Sequence, residues 1–143
     1  MLKNIYIFLA DGILLFDKGW EDLNQDPMLI SGFCSALWMF SKQIGGEDFE
    51  LLKTKRYLIL GTSSEKYQIK FILIIDHSDD IDEHIKLLED IKQDFCSIYR
   101  EDLEKIKSKE IPIRLNYFKD YSNRINAVIK NHFPNLIPEM VMQ

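Results

Sequence analysis

Apolar residues open the chain on both sides of an alternating pattern. Ile5, Ile7 and Leu9 fall on one side of residues 3–10, and Tyr6, Phe8 and Ala10 on the other. That predicts a strand covered on both faces. Asp11-Gly12 suits a two-residue hairpin whose central positions both need φ > 0, and a second strand runs from Ile13 to about Lys18. An acidic, turn-rich loop fills 19–27. Asp26 can cap a helix and Pro27 can stand first in it. The helix runs to Ile44 and stops at Gly45-Gly46. Three strands follow at about 48–55, 57–63 and 67–76, and Gly61 to Ser64 reads as a hairpin connection. Ile69 to Ile75 is nearly all apolar, as a central strand should be. Ser78 is placed to cap a long helix over 79–106, with a stripe through Ile81, Ile85, Leu88, Ile91, Phe95 and Ile98. Ile111-Pro112-Ile113 cannot lie inside a helix. A last helix covers 120–133, and Pro134 and Pro138 end it.

Helix 27–44 has more apolar surface than one sheet face requires. Leu29, Phe33, Leu37, Phe40 and Ile44 recur at helical spacing and are expected to form the core stripe. Ile30, Cys34, Trp38 and Met39 make a second apolar face, expected to point outward as an interface. Trp38 reads equally as core or as an interface anchor, and Trp20 as core or as a loop residue. The competing account has the 19–27 loop or the C-terminal tail folding over this second face. Gly32, Ser31 and Ser35 are small enough to admit a close neighbour.

Length and composition narrow the function. The 143 residues fit one domain, with 46% hydrophobic and 29% charged residues. The expected division is a domain over 1–133 and a tail over 134–143. A formal charge of −5 argues against nucleic acid as the main partner, because phosphate binding needs a cationic field. It argues equally against broad adhesion to anionic lipid. Lys53, Lys55 and Arg56 cluster locally and read as a solvated face. Cys34 and Cys96 occupy apolar helix positions and read as small hydrophobes in a reducing compartment. No run approaches the roughly 18 apolar residues of a membrane span, and no leader is visible. The expected location is cytoplasmic, at a membrane surface only through a partner.

Chemistry is sparse. His77, His84 and His132 have no companions at ligand spacing, and a metal site needs three or four ligands. Asp76, Asp79, Asp80 and Asp82 lack the glycine of a calcium loop and read as a helix start. Gly45-Gly46 and Gly61-Thr62-Ser63-Ser64 match no phosphate-binding motif, and no nucleophile elbow occurs. The expectation is no catalytic residue, no cofactor and no metal.

The order β-β-α-β-β-β-α-α specifies an α/β (α+β) domain with a five-stranded antiparallel sheet, one helix on one face and two on the other. This order resembles the longin fold of the profilin-like group, which includes roadblock domains. Ile5-Tyr6-Ile7-Phe8-Leu9-Ala10-Asp11-Gly12-Ile13-Leu14-Leu15 is similar to the longin first hairpin, and Leu29 to Ser41 to the longin first helix. The resemblance spans about residues 3–133. It implies a non-catalytic module that pairs with another longin or roadblock-type domain, as a homo- or heterodimer, and binds or regulates a Ras-like small GTPase in trafficking-type assemblies. The expectation is the domain alone, without a SNARE coil or a GTPase-exchange extension, which puts a SNARE role in doubt. The alternative is a profilin-like small-molecule sensor, which would need a cavity with convergent polar groups.

Overall fold

A computed structural model describes residues 2–20, 26–46, 49–110, 112 and 117–134. Expectations about the loop at 21–25, the start of a strand at 48, Ile111, Ile113 and the tail from Asn135 lie outside the described residues. The elements are β1 (Leu2–Leu9), β2 (Leu14–Gly19), α1 (Pro27–Gly45), β3 (Leu51–Lys53), β4 (Tyr57–Ser64), β5 (Ile69–Asp76), α2 (Ile81–Ile98), α3 (Arg100–Lys107) and α4 (Tyr121–His132).

The five strands form one sheet in the order β2-β1-β5-β4-β3, with every neighbouring pair antiparallel. β1 and β5 are the central strands and are apolar on both faces, so both faces need cover. On one face α1 packs Cys34 and Trp38 against Tyr6, Phe8, Phe49, Ile72 and Ile74. On the other, α2, α3 and α4 pack Leu87, Ile91, Phe95, Leu103, Tyr121 and Ile125 against Ile5, Ile7, Phe71 and Leu73. Trp20 is buried in this second cluster.

Several local expectations change. The first hairpin closes with Leu9 N–H donating to Ile13 O at 2.8 Å and Gly12 N–H to Leu9 O at 2.8 Å. Among residues 10–12 only Gly12 has positive φ, at 96°. The loop is therefore a three-residue turn ending in a left-handed glycine, not a two-residue type I′ turn. β4 continues through Gly61 to Ser64, and the turn to β5 comes after it. Gly61 is a strand residue because its neighbours demand it. A Cβ there would stand 2.7 Å from the Phe49 ring and 2.8 Å from Trp38.

The long second helix breaks at Tyr99, whose ψ of 22° separates α2 from α3. Its cap is Asp80, accepting from Glu83 N–H, rather than Ser78. Asp80 stands two residues nearer the first apolar turn, where its carboxylate reaches the free N–H groups.

The largest correction concerns which side of α1 faces the sheet. The expected core stripe is mostly outside: Leu29, Phe33, Phe40 and Ile44 are exposed and Leu37 is half-buried. Of the four residues expected to form an interface, Cys34 and Trp38 are buried, Ile30 is half-buried and only Met39 is exposed. The cause is shape. Ser31 Oγ donates to Gly12 O at 2.9 Å, and Ser35 Oγ donates to Ala10 O, so the small residues let the helix sit close against the first hairpin. Trp38 then enters the space above Gly61, edge-on to Phe49 at 4.8 Å and to Phe8 at 6.1 Å between ring centroids.

Candidate functional site: the outer face of α1 and the β3 edge

α1 is well terminated at both ends. Asp26 Oδ1 accepts from Met28 N–H at 3.0 Å, and Gly46, at φ 73°, donates its N–H to Lys42 O at 2.8 Å. Between Pro27 and Lys42 it carries no charge. With the inner side fixed by Ser31, Ser35 and Trp38, the outer side holds Met28, Leu29, Phe33, Met39, Phe40 and Ile44, each between 59% and 72% exposed. A surface helix of a self-contained monomer places charged or polar residues there. This one places six large apolar residues.

The face has relief. Gly32 and Ala36 are exposed, one helical turn apart. A Cβ built on Gly32 meets nothing within 4 Å, so the helix surface is low there between larger side chains. Beside the second half of α1, a groove of about 570 Å³ runs to the sheet edge between Phe40, Ile44, Phe49 and Leu51. Leu51 belongs to β3, one of the two edge strands, and is 46% exposed. An edge strand offers unpaired backbone groups to a neighbour. Apolar helix face and strand edge therefore adjoin.

The groups with conceivable reactivity are committed elsewhere. Burial pushes the Cys34 thiol up to about 11, which leaves it un-ionised. Lys70 Nζ stands 5.0 Å over the Trp38 ring. His77 Nε2 meets Thr54 O at 2.7 Å and His84 Nδ1 meets Asp80 O at 2.7 Å. His132 pairs with Asp90. In the aspartate cluster, Asp79 accepts from Asp76 N–H at 2.9 Å, Asp80 caps α2, and Asp76 pairs with Lys3 at 3.2 Å. Among the described residues, no three His, Cys, Asp or Glu side chains come together as metal ligands. Nor is any described helix long and apolar enough to cross a membrane. Lys53, Lys55 and Arg56 are exposed around the β3–β4 connection.

Of the expected interface residues on this helix, Cys34 and Trp38 face the sheet, Ile30 is half-buried and Met39 is exposed. The exposed residues that the pattern misses are Leu29, Phe33, Phe40 and Ile44, expected in the core, and Met28, which belongs to neither expected face. One signal for the true orientation was present. Ser31, Cys34, Ser35 and Trp38 recur at helical spacing, and a strip of small residues marks a close approach.

No protein-family profile and no curated protein matches the sequence. Solved structures do. A roadblock/LC7 domain from Streptomyces avermitilis superposes with a TM-score of 0.58 at 10% identity, over 70% of this chain and 86% of that one. Myxococcus xanthus MglB superposes with a TM-score of 0.55 at 17% identity, over 71% of this chain and 79% of that one. The fold is that of the roadblock and longin domains.

Proposed function

We propose that this chain is a non-catalytic interaction module that pairs, through the outer face of α1 and the adjoining edge of β3, with a second roadblock/longin-type domain. A second copy is the simplest such partner. The observation that carries the reading is the row of exposed residues Met28, Leu29, Phe33, Met39, Phe40 and Ile44 on a helix whose one charged residue is Lys42.

The physical argument is one of cost. A contiguous apolar patch on a monomer seldom exceeds a few hundred Å². Six large side chains more than half exposed, with Leu51 beside them, bring the face towards the roughly 800 Å² per partner of a standard interface. Full burial of one such side chain contributes about 1.5–3 kcal/mol before the costs of association. No like charges oppose each other along the first four turns of the helix, and the low surface at Gly32 and Ala36 lets a facing helix come close.

A Ras-like small GTPase as the further partner rests on the similarity of the opening hairpin and first helix to longin sequences, and on the roadblock/longin fold. An assembly of this kind acts by holding or altering a GTPase conformation, with no bond made or broken by its own side chains. Two measurements test the reading. Light scattering on the pure chain should give twice the chain mass at micromolar concentration. Purified Ras-like GTPases from the source cell, loaded with GDP or a GTP analogue, should include one whose nucleotide exchange or hydrolysis rate changes on adding the chain. A monomer at every concentration contradicts pairing with a second copy. Unchanged rates across the set contradict the GTPase role.

A further inference from the structure

Two of the six outer residues of α1 differ chemically from the rest. Met28 and Met39 are 62% and 66% exposed. They stand eleven residues apart, about three turns of helix, and so within roughly 20° of each other around its axis. They form one flank of the face, Leu29, Phe33, Phe40 and Ile44 form the other, and Gly32 and Ala36 lie between. The second flank is inert to mild oxidants. The thioethers are not.

We infer that Met28 and Met39 are a modification site, a pair of peroxide-sensitive thioethers whose conversion to sulfoxide disfavours pairing through α1. The inference rests on the proposed pairing with a second copy. The step is a two-electron oxidation by hydrogen peroxide. A sulfur lone pair attacks one peroxide oxygen, the O–O bond breaks, and a sulfoxide and water result. Sulfur is oxidised and peroxide is reduced.

The consequence follows from where the oxygen appears. A thioether is apolar, flexible and well suited to an apolar contact. A sulfoxide is a strong acceptor, and none of the side chains of α1 before Lys42 is charged; Lys42, one turn beyond Met39, can serve that sulfoxide but not the one at Met28, more than three turns away. Burying a polar group without a hydrogen bond is unfavourable. A twofold pair presents both residues twice, so four sulfoxides enter one interface. Pairing in turn covers the sulfurs, which makes the unpaired chain the vulnerable form. The two thiols are placed differently: Cys34 is buried beneath α1, and Cys96 is half-buried on α2, remote in sequence from this face.

The test treats dilute chain with hydrogen peroxide and maps oxidised residues by peptide mass spectrometry. Association is then followed by light scattering, with Met28→Leu/Met39→Leu in parallel. The untreated chain should form dimers, and association of the double variant is recorded before and after the treatment. Oxidation of the natural chain at Met28 and Met39 should weaken association at least tenfold. Methionine sulfoxide reductase should restore it, and a thiol reductant alone should not. Association of the double variant should be the same before and after the treatment. A chain oxidised at both positions that associates unchanged overturns the inference while leaving the pairing intact, as does a double variant that loses association equally. An untreated chain that stays monomeric at every concentration overturns the pairing with a second copy and this inference with it.

Discussion

The inner and outer sides of α1 are both apolar, yet they are made from different shapes. The inner side presents Ser31, Cys34 and Ser35, all small, and one fully buried large residue, Trp38, seated above a glycine, with Ile30 and Leu37 half-buried at its margin. The outer side presents Met28, Leu29, Phe33, Met39, Phe40 and Ile44, large residues around a low strip at Gly32 and Ala36. Hydrophobicity does not separate the two, because either would gain from leaving water. Fit separates them. The first hairpin lies against the helix so that Ser31 Oγ donates to Gly12 O and Ser35 Oγ to Ala10 O, contacts that short side chains make. The packed side is the one whose contours match the sheet.

The contrast predicts which changes cost stability. Trp38→Ala should have the largest effect, about 3–5 kcal/mol in urea denaturation, as for other buried aromatic truncations. A loss below 1 kcal/mol would mean that Trp38 is not packed as described. Gly61→Val comes next. Its new Cβ meets the Phe49 and Trp38 rings inside 3 Å, and overpacking of this sort costs about 1–3 kcal/mol. Neutral behaviour would show that α1 can lift from β4 without penalty.

A pH effect comes from the same side. Burial, then the negative charge of Asp17, push the Tyr6 hydroxyl from 10.0 up to about 12. A raised value in the folded state means that the neutral form is favoured on folding. This contribution is complete below pH 10 and is lost as pH rises from 10 towards 12. Tyr6→Phe should flatten the decline of stability over that window, and an unchanged decline would assign it to other groups. The smallest effect belongs to the outer side. Leu29→Ser or Ile44→Ser, measured under conditions where the chain is monomeric, should shift stability by no more than about 0.5 kcal/mol, as at an ordinary surface position. A loss of 2 kcal/mol would place those residues in the core.

Much of the fold was legible because it depends on periodicity. The doubly apolar runs at Ile5 and Ile72 specified central strands, Asp26-Pro27 and Gly45-Gly46 bounded α1, and the Ile81 to Phe95 stripe specified α2. Periodicity failed where it was degenerate. Leu29-Phe33-Leu37 and Ile30-Cys34-Trp38 have the same spacing, and choosing between them needs Gly12, Gly61 and Phe49, which are remote in sequence and adjacent only in the fold. The break at Tyr99 is of the same kind. Its ring packs against Phe95, Phe118 and Tyr121, a contact between α2 and the start of α4 that no local pattern encodes. Membership of α1 in the candidate site was therefore readable, and the identity of its exposed residues was not.

The central claim is that the outer face of α1 is a surface made to be covered. Light scattering on the natural chain and on Phe33→Glu/Phe40→Glu, with thermal unfolding of both under conditions where each is monomeric, tests it most directly. The account predicts a concentration-dependent dimer for the natural chain, a monomer for the variant, and unfolding midpoints that agree closely. Equal association, or a variant that remains monomeric only because it has lost its fold, would contradict it.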